Sequence, residues 1–302
     1  MTSINTNNSA MSALQTLRSI NSNLETTQNS VSTGYRVDTA SDNAAYWSIA
    51  TTMRSDNKAL SAVSDALGLG AAKVDTAYTA MDSAIDVVDE IKAKLVAATE
   101  DGVDKSKVQE EISQLQEQLM SIAQSASFSG ENWVAGADGT MSVVSSFVRD
   151  GSGAVSVKMT EYALDTSSAG NVLFGMNGGS IETSTGILGT ADANGDSVYS
   201  LDITDFTTGQ IQSALSTIES ALSAMTSAGA QLGSISTRIE LQEDFVGALS
   251  DSIDSGVGRL VDADMEEESS KLSALQTQQQ LAIQSLSIAN SSSQNILSLF
   301  RS

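Results

Sequence analysis

The sequence predicts a mostly α-helical fold: an elongated antiparallel helical bundle or coiled coil built from both chain ends, with a small β-rich insertion that contains a β-hairpin. Three observations support this prediction. The 302 residues include no proline, and an interior proline would cost a helix about 3 kcal/mol. Apolar and small residues recur at helical spacing near both ends, whereas Gly, Ser, Thr, Asn and Asp dominate the middle. Aromatic residues make up only 4% of the chain, which suits thin helix-on-helix packing.

Each chain end carries a stripe of apolar or small residues at alternating spacings of three and four. The N-terminal stripe consists of Ala10, Ala13, Leu17, Ile20, Leu24, Thr27 and Val31. The C-terminal stripe consists of Leu272, Leu275, Gln279, Ala282, Leu286, Ala289, Ser293, Ile296 and Phe300. This spacing keeps one face of a helix turned towards a partner, as in a coiled coil.

The two ends also carry almost no net charge. Residues 1–40 hold two acids and two bases, and residues 265–302 hold three acids and two bases, so the ends contribute 0 and −1 to a total of −22. Exposed apolar surface is unfavourable in water, so we expect further copies of the chain to pack against the two uncharged ends and bury them. The predicted self-assembly interface consists of Leu17, Ile20, Leu24, Val31, Leu272, Leu275, Leu286, Ile296 and Phe300.

Three more helical stripes lie between the ends. One starts at Tyr46, Ile49 and Met53 and continues to Leu95, a second covers residues 108–126, and a third covers residues 211–253. Long stripes in both halves of the chain predict that the N-terminal and C-terminal halves pair antiparallel. The turn-rich middle would then lie at the far tip.

The middle segment predicts a β-hairpin. Val155, Val157 and Met159 alternate with polar residues, which is typical of a half-buried strand. Turn residues 150–153, with the sequence Asp-Gly-Ser-Gly, separate this strand from the apolar residues 143–148.

Composition excludes several function classes. The chain has no Cys and no His, which removes thiolate metal sites and the Ser-His-Asp and Cys-His nucleophile systems. A net charge of −22 argues against nucleic acid and anionic membranes as partners. No apolar run is long enough to predict a transmembrane helix, and the first residues do not have the pattern of a cleaved signal peptide.

Five local motifs, in order along the chain, resemble those of bacterial flagellins. The first is Ser32-Thr33-Gly34 followed by residues 35–41, Tyr-Arg-Val-Asp-Thr-Ala-Ser, and Asp42-Asn43-Ala44-Ala45, and the second is the turn Phe128-Ser129-Gly130. Leu232-Gly233 with Arg238 and the element at residues 259–264, Arg-Leu-Val-Asp-Ala-Asp, are the third and fourth. The fifth is the ending at residues 294–300, Gln-Asn-Ile-Leu-Ser-Leu-Phe. Together they resemble the shorter flagellins, those with a small variable outer region.

The resemblance implies a layered subunit. Residues 1–44 and 260–302 would form the terminal coiled-coil core segments, residues 45–140 and 203–259 the helical core domain, and residues 141–202 a β-rich variable outer region. It further implies that the hairpin near residues 143–162 packs between subunits along a protofilament.

The function implied by the resemblance is structural. The chain would polymerise through its terminal helices into the helical filament of the bacterial flagellum, which serves motility. Its partners would be itself, alone or with other flagellins, the flagellar export apparatus with a secretion chaperone, and the hook-associated and cap proteins. It would be secreted to the extracellular filament without a cleaved signal peptide.

Rival interpretations are a hook–filament junction protein, a secreted coiled-coil effector and an enzyme. The Asp-Ala-Asp element and the complete C-terminal motif favour the filament subunit over the first two. A zinc protease of the kind found in some flagellins needs a His-Glu-x-x-His pair, which a chain without His cannot form. The segment from Asp192 to Asp196 resembles the start of a calcium loop, but Ile203 stands where the bidentate acid should be. We therefore expect no catalytic site, no cofactor and no metal.

The resemblance also concerns animal innate immunity, because a toll-like receptor recognises some flagellins. Recognised members carry an Arg-hydrophobic-Arg-Glu-Leu pattern, and its counterpart here is degenerate: Glu90, Ile91, Lys92, Ala93 and Lys94. Lys cannot reproduce the planar, bidentate fork of Arg, and Glu90 reverses a charge. We expect weak activation of that receptor or none.

Overall fold

The computed structural model describes residues 7–100, 102–192 and 195–299, with side chains described as far as residue 291. The five long helices are α1 (Asn8–Thr33), α2 (Ala44–Ala97), α3 (Lys105–Ser125), α4 (Thr208–Val261) and α5 (Met265–Leu299). Three antiparallel strand pairs lie between α3 and α4, so the predicted fold class is confirmed: helices at both ends and a small β-rich middle.

Contacts divide the chain into two units. The first contains Met1–Lys58 and Asp251–Ser302, and the second contains Ala59–Ser250. The helices α2 and α4 contribute residues to both units. The division into core, helical and outer segments that the resemblance implies remains a prediction.

In the first unit, side chains cap the helix ends. The carboxamide oxygen of Asn7 accepts a hydrogen bond from the Ala10 amide at the start of α1, which satisfies one of the free amides of the first turn. At the other end Gly34 adopts φ 75°, and its amide donates to the Ser30 carbonyl. Asp264 caps α5 by accepting from the amides of Glu266 and Glu267.

The first unit also corrects one prediction. Tyr46 and Ile49 are exposed, although the sequence pattern put both on the buried stripe of α2. Ala50 is the buried residue of this turn, and it packs with Val37 and Val257. Because one residue turns a helix by about 100°, burying Ala50 rotates Ile49 away from the cluster.

In the second unit, the predicted stripes form the core. Buried positions on α2 include Leu67, Val74, Met81, Val88, Ile91 and Leu95, and those on α4 include Ile211, Ile218, Met225, Leu232 and Ile239. On α3 the buried residues are Ile112, Gln116, Leu119 and Ala123. The Gln116 amide donates to the carbonyls of Val198 and Leu201, so this polar residue fixes the segment before α4 against α3.

The strands form three separate hairpins. They are β1 (Ser127–Phe128) with β2 (Glu131–Asn132), β3 (Gly139–Arg149) with β4 (Val155–Leu164), and β5 (Gly175–Asn177) with β6 (Ser180–Glu182). The hairpin that the sequence predicted is β3–β4. The Asp150 carboxylate closes its turn by accepting from Ser152 and the Ala154 amide, and these hydrogen bonds lower the pKa of Asp150.

The alternation predicted for β4 is correct, but the predicted buried side is wrong. Thr160, Tyr162 and Leu164 are the buried residues, whereas Val155, Val157 and Met159 are exposed. The Thr160 side faces α4, where Arg238 donates a hydrogen bond to the Thr160 hydroxyl at 2.5 Å. A two-stranded ribbon has no second sheet to cover its other face, so the apolar side chains stay outside.

Candidate self-assembly surface

The two terminal stripes face each other within one chain. Gln279 of α5 donates to the Asn21 side chain of α1 at 2.7 Å, and Asn7 donates to the Ala289 carbonyl at 3.0 Å. Since Asn7 lies near Ala289 and Asn21 near Gln279, the helices run antiparallel. Their packed face carries every stripe position from Ala10 to Val31 and from Leu272 to Ala289.

The predicted assembly residues are therefore brought together on the inner face of this helix pair. Leu17, Ile20, Leu24, Val31, Leu272 and Leu286 are half-buried there, and Leu275 is buried. The side chain of Ile296 and all of Phe300 lie outside the described residues. Half-burial leaves part of each stripe open to further packing.

The outer face of the helix pair, meaning all sides of α1 and α5 other than the packed face, carries apolar side chains that do not belong to the two stripes. They are Met11, Leu14, Leu281, Ile283 and Ile288, all exposed, with Ile288 reaching 70%. None falls on the 3-4 seam, so the seam spacing does not predict them. The sequence does indicate that such residues exist, because α1 and α5 contain more apolar residues than a single coiled-coil seam requires.

A groove of about 510 Å³ runs between the two helices. Small and polar residues line it, among them Ser12, Ala13, Thr16, Ala282 and Ser285. Small side chains let a neighbouring helix approach closely, and exposed large apolar side chains supply the area to bury. Each of the latter contributes roughly 1.5–3 kcal/mol when fully buried.

A short connection from α1 to α2 is fixed against the end of α4. The amides of Arg36 and Val37 both donate to the Val261 carbonyl, at 2.7 and 3.2 Å, and the Ala263 amide donates to the Gly34 carbonyl at 2.9 Å. The Arg36 guanidinium also donates to the Leu260 carbonyl. These bonds tie the end of α1 to the start of α5.

Side chains complete the same connection. Arg54 lies 4.8 Å from the centre of the Tyr35 ring, a cation–π contact. The Asp42 carboxylate accepts from the amides of Asp38 and Thr39 and from the Thr39 hydroxyl, and the Thr39 bonds lower the pKa of Asp42. Asn43 then caps α2 by accepting from the Ala45 and Tyr46 amides.

The segment related to innate recognition lies on α2 in the second unit. The Lys92 ammonium contacts the Glu219 carboxylate of α4 at 2.6 Å, and the Lys94 ammonium contacts the Glu111 carboxylate of α3 at 2.5 Å. These partners raise the pKa of both lysines. Glu90 and Ala93 are exposed. Both cations of the segment are thus engaged by neighbouring helices.

The part of the chain that the structure describes offers few side chains suited to catalysis or to metal binding. Within those residues there is no group of three or more acids that could hold a metal ion, and no helix long and apolar enough to cross a membrane. Asp192 of the calcium-loop-like segment accepts from the Asp196 amide and from the Thr217 hydroxyl of α4. Burial, with the nearby Asp192 charge, raises the pKa of Asp196.

Comparison with known proteins identifies the family. Residues 4–138 match the bacterial flagellin N-terminal helical region, and residues 215–300 match the bacterial flagellin C-terminal helical region. The chain is 51% identical to Flagellin A of Rhizobium meliloti over an alignment of 395 positions, and 56% identical to Flagellin C of Rhizobium meliloti (strain 1021) over 322 positions. It is 47% identical to a flagellin of Brucella melitensis biotype 1 over 302 positions.

Each of these alignments covers 100% of this chain and 100% of the relative. The alignment with Flagellin A is longer than the 302 residues of this chain, so that relative contains inserted segments that are absent here. A short chain with helical ends, a β-rich middle and apolar terminal helices therefore belongs to the bacterial flagellins, the structural subunits that polymerise into the extracellular flagellar filament.

Proposed function

We propose that this flagellin polymerises through the α1–α5 helix pair, which uses its inner face to form the pair and its outer face to contact neighbouring subunits. The observation that carries the proposal is the set of exposed apolar side chains on α1 and α5, headed by Ile288. The charge distribution supports it, because residues 1–40 and 265–302 carry only −1 of the net −22. Subunits with acidic middles and uncharged ends repel each other least where the ends meet.

The proposal assigns Leu17, Ile20, Leu24, Val31, Leu272, Leu275 and Leu286 a double role, with Ile296 and Phe300 extending the same stripe. The first seven hold α1 against α5. All of these except the buried Leu275 are half-buried, and their exposed atoms complete the contact with a neighbouring pair. A heterologous contact of this kind does not close on itself and produces an open helical polymer. Residues 1–44 and 260–302 would then form the filament core, residues 45–140 and 203–259 the next layer, and residues 141–202 the outside.

We further infer that the protein has no catalytic activity and that its other partners are those of filament biogenesis. The absence of His and Cys from the sequence supports the first inference. The partners proposed are the export apparatus, a secretion chaperone, the hook-associated and cap proteins, and other flagellins within the same filament.

Substitution of Ile288 tests the assembly role of the outer face. Ile288→Asp places a carboxylate where the account requires a dry contact, and an unpaired charge there is costly. We expect a helical, monomeric subunit that fails to form filaments under conditions in which the unsubstituted chain polymerises. Ile288→Leu, the matched control, keeps the apolar area and should polymerise normally. Normal filaments from Ile288→Asp would contradict the proposal.

Leu286→Asp distinguishes the role of the inner face of α5 from the role of its outer face. Leu286 lies on the inner face against α1, so its replacement should loosen the helix pair as well as stop assembly. Circular dichroism of the monomer should therefore show lost helicity for Leu286→Asp and little loss for Ile288→Asp. Equal losses in both variants would show that the two residues do not lie on different faces.

A further inference from the structure

The short β5–β6 hairpin exposes an asparagine that directly precedes a glycine. Asn177 ends β5, and the turn consists of Gly178 and Gly179, with φ of +62° and +88°. Two successive residues with positive φ form the tight turn that joins antiparallel strands, and glycine adopts it without steric cost. Asn177 pairs with Ser180 across the turn and is exposed. The Asn177 side chain therefore lies at the open end of the hairpin.

Neither the Asn177 carboxamide nor the Gly178 amide has a hydrogen-bond partner among the residues that the structure describes. Gly178 also carries no side chain that could shield its own nitrogen. Its amide nitrogen is covalently tethered close to the side-chain carbon Cγ of Asn177, and such a tether makes an intramolecular attack far more frequent than a bimolecular one. The two groups are therefore free to react with each other.

Other asparagines of the middle segment are held in place. Asn171 is only 8% exposed, its carboxamide oxygen accepts from the Asp165 amide at 2.9 Å, and its NH2 group donates to the Ala163 carbonyl at 2.7 Å. It also precedes the β-branched Val172 rather than a glycine. Asn132 is hydrogen-bonded through both side-chain atoms as well. Both bonds of such a side chain must break before it can react.

The β5–β6 hairpin is a weak restraint on Asn177. Each strand has three residues, and the pair is joined to no further strand among the described residues. A two-stranded ribbon is only marginally stable by itself, and exposed loops open locally at little cost in free energy. Opening lets the backbone at Asn177 rotate, so folding protects this position less than the bonded asparagines.

We propose that Asn177 is a site of spontaneous deamidation in the folded protein, with water as the only co-reactant. The Gly178 nitrogen attacks the Asn177 Cγ, its proton passes to the side-chain nitrogen, the Cγ–Nδ2 bond breaks, and ammonia leaves. The product is a five-membered succinimide ring. Water then adds to one of the two ring carbonyls, and the ring opens to aspartate or to isoaspartate. The proposal goes beyond filament assembly and concerns the monomer alone.

The reaction changes both the charge and the backbone of the turn. A carboxylate replaces a neutral amide, so each event adds one negative charge to a chain of net charge −22. Isoaspartate routes the main chain through the former side chain, and the added carbon atom disturbs the pairing of Asn177 with Ser180. Because ammonia is lost to solution, the change is irreversible and accumulates with the age of the folded protein.

Peptide mass spectrometry of the full chain tests the site. Cleavage after glutamates releases residues 162–182, a peptide whose only asparagines are Asn171 and Asn177. The Asn194-Gly195 pair, whose asparagine lies outside the described residues, is released in a different peptide. After incubation of the monomer in water enriched in heavy oxygen, Asn177 should carry heavy oxygen, and Asn171, the internal control, should react at least about tenfold more slowly. Equal rates at the two asparagines would overturn the proposal.

Two further measurements separate structure from sequence. The rate at Asn177 in the folded chain should lie within about threefold of its rate in urea, because the hairpin protects it little. Asn177→Gln should abolish incorporation at this position, since the longer side chain would have to close a less favourable six-membered ring. Protection of Asn177 by about tenfold or more on folding would overturn the proposal. Undiminished incorporation in Asn177→Gln would do the same, because it would show direct hydrolysis without attack by Gly178.

Discussion

A methyl group of Val143 occupies the space that a side chain at Gly70 would need. A β-carbon built on Gly70 would lie 2.0 Å from Cγ1 of Val143 and 3.2 Å from its Cβ. Gly70 is in the middle of α2, where glycine usually costs about 1 kcal/mol relative to alanine. The glycine is thus retained at a helix position that disfavours it, because the β3–β4 hairpin approaches the helix backbone there.

This contact predicts an unusual result for Gly70→Ala. Overpacking costs about 1–3 kcal/mol, so the substitution should destabilise the monomer in urea unfolding rather than stabilise it. The matched control is Gly68→Ala on the same helix, where nothing lies within 4 Å of the new β-carbon, and it should stabilise by up to about 1 kcal/mol. Combining Gly70→Ala with Val143→Ala should remove most of the clash. A stabilising Gly70→Ala would show that the hairpin does not approach α2 this closely.

Tyr162→Phe should leave the folded monomer as stable as before or make it more stable. The Tyr162 ring stacks on Trp133 with centroids 5.7 Å apart, but its hydroxyl is buried and has no hydrogen-bond partner among the residues that the structure describes. Removing a hydrogen-bonded hydroxyl would cost about 1 kcal/mol, whereas removing an unsatisfied one relieves a desolvation penalty. Urea unfolding at neutral pH checks this, and a loss of 1 kcal/mol or more would reveal a bonded hydroxyl.

The same residue predicts a pH dependence. Burial raises the pKa of the Tyr162 hydroxyl above its ordinary value of 10.0. Above pH 10 the unfolded chain releases this proton while the folded chain keeps it, so the folded state binds more protons and stability falls as pH rises. Unfolding curves from pH 8 to 11 should show a smaller loss for Tyr162→Phe than for the unsubstituted chain. Parallel curves would contradict the burial of a titrating hydroxyl.

The two glycines of the hairpin turn should differ in their tolerance of a side chain. Gly153 has φ +86°, a conformation that costs other residues about 1–2 kcal/mol, whereas Gly151 does not have a left-handed φ and has nothing near its β-position. Gly153→Val should therefore disturb the hairpin and change filament curvature in electron micrographs, and Gly151→Val should do so less. Identical, unchanged filaments from both variants would argue against a packing role for the hairpin between subunits.

This flagellin should activate the toll-like receptor weakly or not at all. An interface loses several kcal/mol when a central anchor is removed, and Glu90 and Lys94 replace an Arg and a Leu of the recognised pattern. In addition, the ammonium groups of Lys92 and Lys94 already form ion pairs with Glu219 and Glu111 of the same chain, so they are less available to a receptor. A cell reporter exposed to purified monomer measures the effect, with a recognised flagellin as the positive control. Activation at that control's potency would contradict the prediction.

Periodicity predicted those parts of the fold in which one helix face meets one partner. The seams of α1 and α5 and the buried faces of α2, α3 and α4 follow from spacing alone. Residues that recur at spacings of three and four all lie on one face of a helix. Burial of Ala50 instead of Ile49 could not be predicted, since it depends on where Val37 and Val257 meet the helix.

The candidate assembly surface was predicted only in part. The position of Leu286 on the packed face of α5 follows from the seam, whereas the seam says nothing of the exposed, off-seam Ile288. The role of both residues in assembly stays a prediction. The buried side of β4 depends on which face reaches α4, and alternation is symmetrical between the two. Gly70 could be understood only when the position of Val143 was known.

Removal of the terminal helices tests the central claim most directly. Residues 59–250 form the second unit with its own buried core, so this fragment should be soluble, monomeric and largely helical by sedimentation and circular dichroism. Under salt-induced polymerisation, electron microscopy should show filaments from the full chain and none from the fragment. Filaments from the fragment that resemble those of the full chain would contradict assembly through α1 and α5.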